Sequence, residues 1–485
     1  MNISPRRPLY NRRSESNVYR MFFWALLLLG GVWLLIQMRT GKIESPFQPT
    51  PTPTRTSQSF ALEGDAEFTA GQIDSAIKAY KQGTQVDSSN AELLAKLARI
   101  QTYSSQFLLT DAVQNTRLQE ALASANQAVS LAPDDSTVYA IRAFVLDWNA
   151  NPSLVGDKQA QDDLLQADQD AVHALQLDNT NTLALAFYAE ILVDEQKWTQ
   201  AEQEIKQAVD RDPSLMDVHR VYAYVLESLG EYNQAIQEYD KAIAITPNLT
   251  FLYLRAGANY RRLGFASPND AVQKQLFESS LEYFAKAVAI DKQLGIKDPV
   301  PYLSIAKTYS QEGEYFIAAR NVQVAIQFQP DNPDLYGQLG IVYQKSRNYE
   351  GAIPALKCAI KGCTAQESCI GRGLSACGTG DVPTQVPGLP LSDSTVVYYY
   401  TYGSIVAALS RPDANNCPDA VSVLQEVSTK YGGDPTIAGI VQSGKEICQS
   451  LGTTTQNNTP TSIAPQTLPT STPYPTANPN TIVLP

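Results

Sequence analysis

Histidine is almost missing from this chain: two of 485 residues, His173 and His219. That scarcity removes the commonest general base and the commonest nitrogen ligand of zinc, so histidine catalysis and histidine-held metal are not expected. Cysteine is absent before Cys358, and all six cysteines fall between there and Cys448. No P-loop, GxSxG, HExxH or GxGxxG pattern occurs. Basic charge is also short in most of the chain. Residues 1–43 carry seven basic side chains and one acidic, which leaves 30 basic against 48 acidic for the rest, a net of −18. A body that acidic cannot neutralise a run of phosphates, so nucleic acid is not expected as a partner. Neither a cofactor nor an enzymatic activity is expected. The length exceeds what one core usually serves, so several units or a repeat are required.

One long apolar run is present. Met21 to Met38 holds no charge and a single polar side chain, Gln37. As a helix it spans about 27 Å, enough for a bilayer core. Trp24 and Trp33 suit its two interfaces. Five arginines precede it, and only Arg39 and Lys42 follow closely, which puts residues 1–20 in the cytoplasm and the remainder outside. A cleaved signal peptide would need a small-x-small exit, yet the run ends Ile36, Gln37, Met38, Arg39. The segment 21–38 therefore reads as a single-pass signal-anchor of the cell membrane. Residues 39–59 read as an extended spacer, with proline and threonine alternating within 45–59, and residues 452–485 read as a disordered tail of similar composition.

Between spacer and tail lies a 34-residue period. With the first residue of each unit counted as position 1, residues 182–215 place Ala189, Trp198, Ala201, Ala208 and Pro213 at positions 8, 17, 20, 27 and 32. Residues 216–249 place Ala223, Gly230, Tyr232, Ala235, Tyr239, Ala242 and Pro247 at 8, 15, 17, 20, 24, 27 and 32. Small residues at 8, 20 and 27 let two helices cross closely. Glycine at 15 ends the first helix, and proline at 32 stops the second. This pattern resembles the tetratricopeptide repeat family. The resemblance implies an all-α fold, a right-handed superhelical solenoid of helix pairs. The same phase recurs in 57–90, 299–332 and 333–361, and with insertions in 91–135, 136–181 and 250–298. About eight units thus occupy 60–361, and a ninth with a capping helix occupies 396–451.

Residues 362–395 break the rhythm with glycine and proline and read as a loop excursion. Cys358, Cys363, Cys369 and Cys377 lie in or beside it, and Cys417 and Cys448 flank the last helices. Outside the membrane, an even count in the least helical segment reads as up to three disulfides, with Cys417–Cys448 tying the cap to the last unit and the other four stapling the excursion. A zinc site and free buried thiols are the alternatives; the spacing lacks paired C-x-x-C knuckles, and a reversed orientation would favour the thiols.

The resemblance implies that positions 2, 5, 6, 9, 12 and 13 of each first helix line a concave groove. They place Arg220, Tyr224, Phe251, Arg255, Arg261, Arg262, Lys307 and Lys345 there, a basic and partly aromatic stripe in an acidic body. Tyr224 stands where the carboxylate clamp of some relatives has asparagine. The stripe suits an acidic peptide or an anionic envelope polymer, unless its charges pair internally with Asp217, Glu227 and their neighbours. His219 reads as a core residue and His173 as solvent-facing. The acids Asp162, Asp163, Asp168 and Asp170 read as a solvated helix face. The expected role is a membrane-tethered scaffold that binds other proteins, with a non-catalytic receptor for glycan or polyanion as the alternative.

Overall fold

The structure, a computed structural model, describes residues 17–40, 55–378 and 382–454. The parts of the basic segment, the spacer and the tail at 1–16, 41–54 and 455–485 lie outside the described residues. The chain divides into two units, residues 1–55 and 56–485.

In the first unit, α1 (Val18–Arg39) runs slightly beyond the apolar stretch at both ends. Asn17 caps it by accepting the Tyr19 amide at 3.2 Å. Its 22 residues give about 33 Å of helix, long and apolar enough to cross a membrane. None of its side chains is buried.

The second unit is an all-α solenoid of helix pairs. In chain order the pairs are α2 (Ser57–Thr69) with α3 (Ile73–Val86), then α4 (Ala91–Ser104) with α5 (Asp111–Leu131). Next come α6 (Ser136–Asn149), a one-turn α7 (Pro152–Val155) and α8 (Asp157–Leu177). They are followed by α9 (Thr182–Asp194) with α10 (Trp198–Arg211), α11 (Met216–Ser228) with α12 (Tyr232–Ile245), and α13 (Thr250–Ala266) with α14 (Asp270–Leu294). After these stand α15 (Val300–Glu312) with α16 (Tyr315–Phe328), and α17 (Pro333–Lys345) with α18 (Tyr349–Lys361). A short α19 (Ala365–Gly371) precedes α20 (Val396–Leu409), α21 (Cys417–Tyr431) and the cap α22 (Pro435–Thr454). Helix α2 begins at Ser57, so the last three residues read as spacer are helical, and α22 runs three residues into the span read as tail. The excursion is not all loop: Thr364 and Glu367 form a capping box that starts α19, and Cys363 bridges Val386 in antiparallel fashion.

The insertions mostly lengthen helices. α5, α8 and α14 reach 21, 21 and 25 residues, where the second helices of the units without insertions have 13 or 14. Position 8 works by closeness. A Cβ on Gly257 would stand 2.6 Å from the Phe284 ring, and one on Gly340 would stand 2.5 Å from Leu356. Position 15 needs a left-handed residue in every gapless unit. Gly230 and Gly313 supply it at φ +79° and +83°, but Gln196 and Arg347 hold φ 64° and 60° without glycine's freedom.

The array is not a simple stack of neighbours. Gln72 Nε2 donates to the Leu294 carbonyl at 3.1 Å. Tyr103 stacks on Phe251 at 5.2 Å, and Ser394 Oγ donates to Asp111 at 2.6 Å across 283 residues. The early units therefore pack on units that come round later. One large core runs from Leu94 to Ala256. A second runs from Leu303 to Cys448, and Leu109 of the second pair packs against it.

Candidate functional site

The inner positions fall into two different surfaces. In the pairs from α4 to α13 they fill one another. Tyr103 lies at the centre with no exposure, touching Phe144, Trp148 and Phe251. Its hydroxyl donates to Asp217 and accepts from Arg220 Nε at 3.1 Å. Arg99 Nε donates to Asp217 at 3.1 Å. Burial alone would raise the Asp217 carboxyl, but Arg99 and then Arg220 hold it below the ordinary carboxylate range. Arg220 grips Glu190 with two bonds, 2.8 and 2.6 Å. Arg220 is 5% exposed and Phe251 1%, so these two stripe residues are interior groups and do not line an open groove. Their burial follows from the returning turn, which brings α4 against α11 and α13.

Beside this cluster lie three acids. Tyr224 is half-buried and donates to Asp194 at 2.6 Å. Burial raises Asp194 to about 6, with Glu190 adding to it. Asp147 is raised well above the carboxylate range by burial, then by the neighbouring Asp194 and Glu190.

In the pairs from α13 to α18 the inner face is open and basic. Glu227 holds Arg262, and Arg255 approaches it at 3.8 Å, while Tyr239 and Asn259 donate to the same carboxylate. So Arg255 and Arg262 are at least partly neutralised inside the protein. Arg261 is not. Its guanidinium lies 5.4 Å over Phe284, donates to the Ser304 carbonyl at 3.2 Å, and is pushed down to about 10 by burial and by Arg262. Lys307 is likewise lowered, by burial and by Arg261, Arg262 and Lys345. Among the described residues no carboxylate is ion-paired with Arg261, Lys307 or Lys345. Lys307 and Lys345 are exposed.

Other candidates resolve structurally. His219 is buried between Glu238, 2.7 Å from Nδ1, and the Pro213 carbonyl, 2.9 Å from Nε2. His173 is half-buried against the edge of Tyr139 at 4.5 Å, not fully in solvent. Asp163 and Asp170 are buried, and Asp170 takes two bonds from Arg142, so that acidic helix is not a purely solvated face. The cysteines join as Cys358–Cys363, Cys369–Cys377 and Cys417–Cys448. Among the described residues no group of three or more metal-ligating side chains converges.

Arg99, Tyr103 and Glu190 were missed as site residues. Arg99 and Glu190 stand at position 9 and Tyr103 at position 13 of their units, so the groove register marks all three, Glu190 in a gapless unit and the other two in the inserted second unit.

No curated protein sequence matches the chain. Its structure is similar to the human IFIT1 dimer with PPP-AAAA, at 16% identity over 83% of this chain and 92% of that one, TM-score 0.49. It is also similar to TTC0263, a thermophilic tetratricopeptide protein of Thermus thermophilus, at 17% identity over 42% of this chain and 98% of that one, TM-score 0.35. Residues 189–250, which run from the middle of α9 to the first residue of α13, match the tetratricopeptide repeat model. Helix pairs continue the same register on both sides of that matched segment.

Proposed function

We propose that the protein is a membrane-tethered scaffold, held by α1 with its amino terminus in the cytoplasm and its repeats outside, and that it binds other proteins without chemistry of its own. The observation that supports this most is the contrast along the inner face. Interior groups close the first half, while the second half leaves Arg261, Lys307 and Lys345 without acidic partners. Surplus charge on an accessible face serves recognition better than stability, since each unpaired cation repels its neighbours. The arginine excess before α1 supports the orientation, and three cysteine pairs suit an oxidising compartment.

A second reading is favoured by the same surplus: a non-catalytic receptor for an anionic envelope polymer. Purification of the full chain from detergent-solubilised native membranes separates the two. The scaffold reading expects a defined protein at fixed stoichiometry. Retention of glycan or polyanion alone would replace it with the receptor reading.

A further inference from the structure

The cysteine excursion after α18 holds a charge that the scaffold reading does not use. Arg372, just past the end of α19, is 6% exposed. Among the described residues no carboxylate is ion-paired with it; Glu367, the one acid of α19, is held by Lys357 at 3.0 Å. The guanidinium donates instead to neutral oxygens. Nε reaches the Ser368 carbonyl at 3.3 Å, and Nη2 reaches Ser368 Oγ at 3.2 Å and the Val382 carbonyl at 2.9 Å. The same Nη2 lies 3.3 Å from Cys369 Sγ. A buried cation without a counter-ion is costly, and neutral acceptors offset only part of that cost. A thiolate at Cys369 would supply the missing charge at contact distance. The carbonyl end of α19 disfavours an anion there, which leaves Arg372 as the group able to hold one.

Access to the two sulfurs of this disulfide differs. Cys369 is fully buried, whereas Cys377 is half-buried and is the one cysteine of the six that is not buried. The Ala365 and Gln366 carbonyls lie 3.9 Å from Cys377 Sγ, so the approach is narrow and suits a small reagent. Exchange begins when a thiolate attacks one sulfur, and the other departs as a thiolate. Here the attacked position is the reachable one, and the departing position is the one beside a cation.

We infer that the Cys369–Cys377 bond is a thiol-exchange site for a small dithiol reductant, with Arg372 as the positioning residue that receives the departing Cys369 thiolate. This goes beyond the scaffold reading and does not depend on it. The first thiolate of the dithiol bonds to Cys377 Sγ, and the electron pair of the broken S–S bond leaves on Cys369 Sγ. The second thiol then loses its proton and closes the dithiol's own disulfide, which releases Cys377 to take a proton from water. Two electrons pass to the chain, the dithiol is oxidised, and one proton is released because Cys369 stays ionised. Opening is local. The Cys358–Cys363 bond, the Cys363–Val386 bridge and the Leu389 amide on the Ala359 carbonyl at 2.8 Å still hold both ends of the excursion.

The test uses the full chain in detergent. Graded dithiothreitol at neutral pH, acid quench, iodoacetamide labelling and peptide mass mapping give the opening rate of each bond. Cys369 and Cys377 should gain label together, at least about tenfold faster than the other four cysteines. A short exposure to glutathione should leave the mixed disulfide on Cys377 and a free thiol at Cys369. R372Q should slow opening at least about tenfold, and R372K should recover most of the rate. Thiolate absorbance of the reduced parent should persist to lower pH than that of reduced R372Q, a difference that a merely structural arginine would not produce. Equal rates for the three bonds, a glutathione adduct on Cys369, or parent and R372Q opening alike overturns the assignment. If R372Q melts below the parent, the order of opening and the adduct position in the parent decide it, since they need no variant. The scaffold reading is tested by co-purification, so failure here leaves it standing.

Discussion

Arg220 of one unit holds Glu190 of the preceding unit through two parallel bonds of 2.8 and 2.6 Å, with almost no water at either side chain. The pair lies across a boundary between repeats, so it belongs to neither helix pair alone. Trp148 of the unit before donates to the same glutamate at 3.1 Å. Arg220→Ala would leave Glu190 buried without its counter-charge and should cost about 3–5 kcal/mol. Denaturant midpoints should show that loss. The double change Arg220→Met with Glu190→Leu should recover most of it. A single variant as stable as the parent would show that the pair does not hold the boundary.

Close helix crossing predicts a second effect. Gly257→Ala places a methyl 2.6 Å from the Phe284 ring, inside any real contact distance. The ring must shift in a packed core, at about 1–3 kcal/mol. Phe284→Leu should relieve part of that cost in the double variant. Thermal melts of the four proteins read the coupling, and additive losses would contradict it.

The turn after each first helix predicts a gain. Gln196 and Arg347 hold positive φ where other units have glycine. Gln196→Gly and Arg347→Gly should each stabilise by about 1 kcal/mol, less the entropy glycine adds to the unfolded chain. Higher melting temperatures are expected for both, and lower ones would show that side-chain contacts outweigh the strain.

Stability should also fall as the solution becomes more alkaline. Burial raises Asp291 to about 8, with Asp298 beside it, and raises Asp298 to about 7. A carboxyl whose folded value is raised binds more protons in the folded state. Its contribution is complete below the ordinary aspartate value of 3.8 and is lost as pH rises through about 7 to 8. Asp291→Asn should flatten that loss. Unfolding midpoints measured on both sides of this window decide it, and parallel curves for parent and variant would remove Asp291 from the account.

The Cys417–Cys448 bond closes a separation of 31 residues between α21 and α22. By loop entropy it contributes about 3.5 kcal/mol. C417S/C448S should loosen the cap first, seen as faster amide exchange in α22 with α9 to α12 unchanged.

Much of this architecture was legible in the sequence. Period, small residues and turn glycines placed the pairs because each governs a contact inside one unit. Groove residues were legible only by register. Arg261, Lys307 and Lys345 can be read as an open inner face, but Arg220 and Phe251 cannot, because what covers them is Tyr103, more than a hundred residues earlier. Repeat spacing records a unit's own crossing and says nothing of how far the superhelix turns before it meets itself. Insertions hid the rest, since extra residues in 91–135 extended α5 and carried Leu109 and Asp111 onto the far units.

The bond between Asp111 and Ser394 has a consequence for the order of synthesis. Contacts between distant segments close slowly, and early segments wait for late ones. The second unit emerges early, with Arg99 and Tyr103 lacking Asp217 until the fifth unit is made, and with Asp111 lacking its serines until nearly four hundred residues are out. During that interval the leading helices present incomplete surfaces to whatever meets a nascent chain. The last-made pairs complete the first, so a ribosome that stalls before residue 394 leaves behind an array whose beginning has not finished folding.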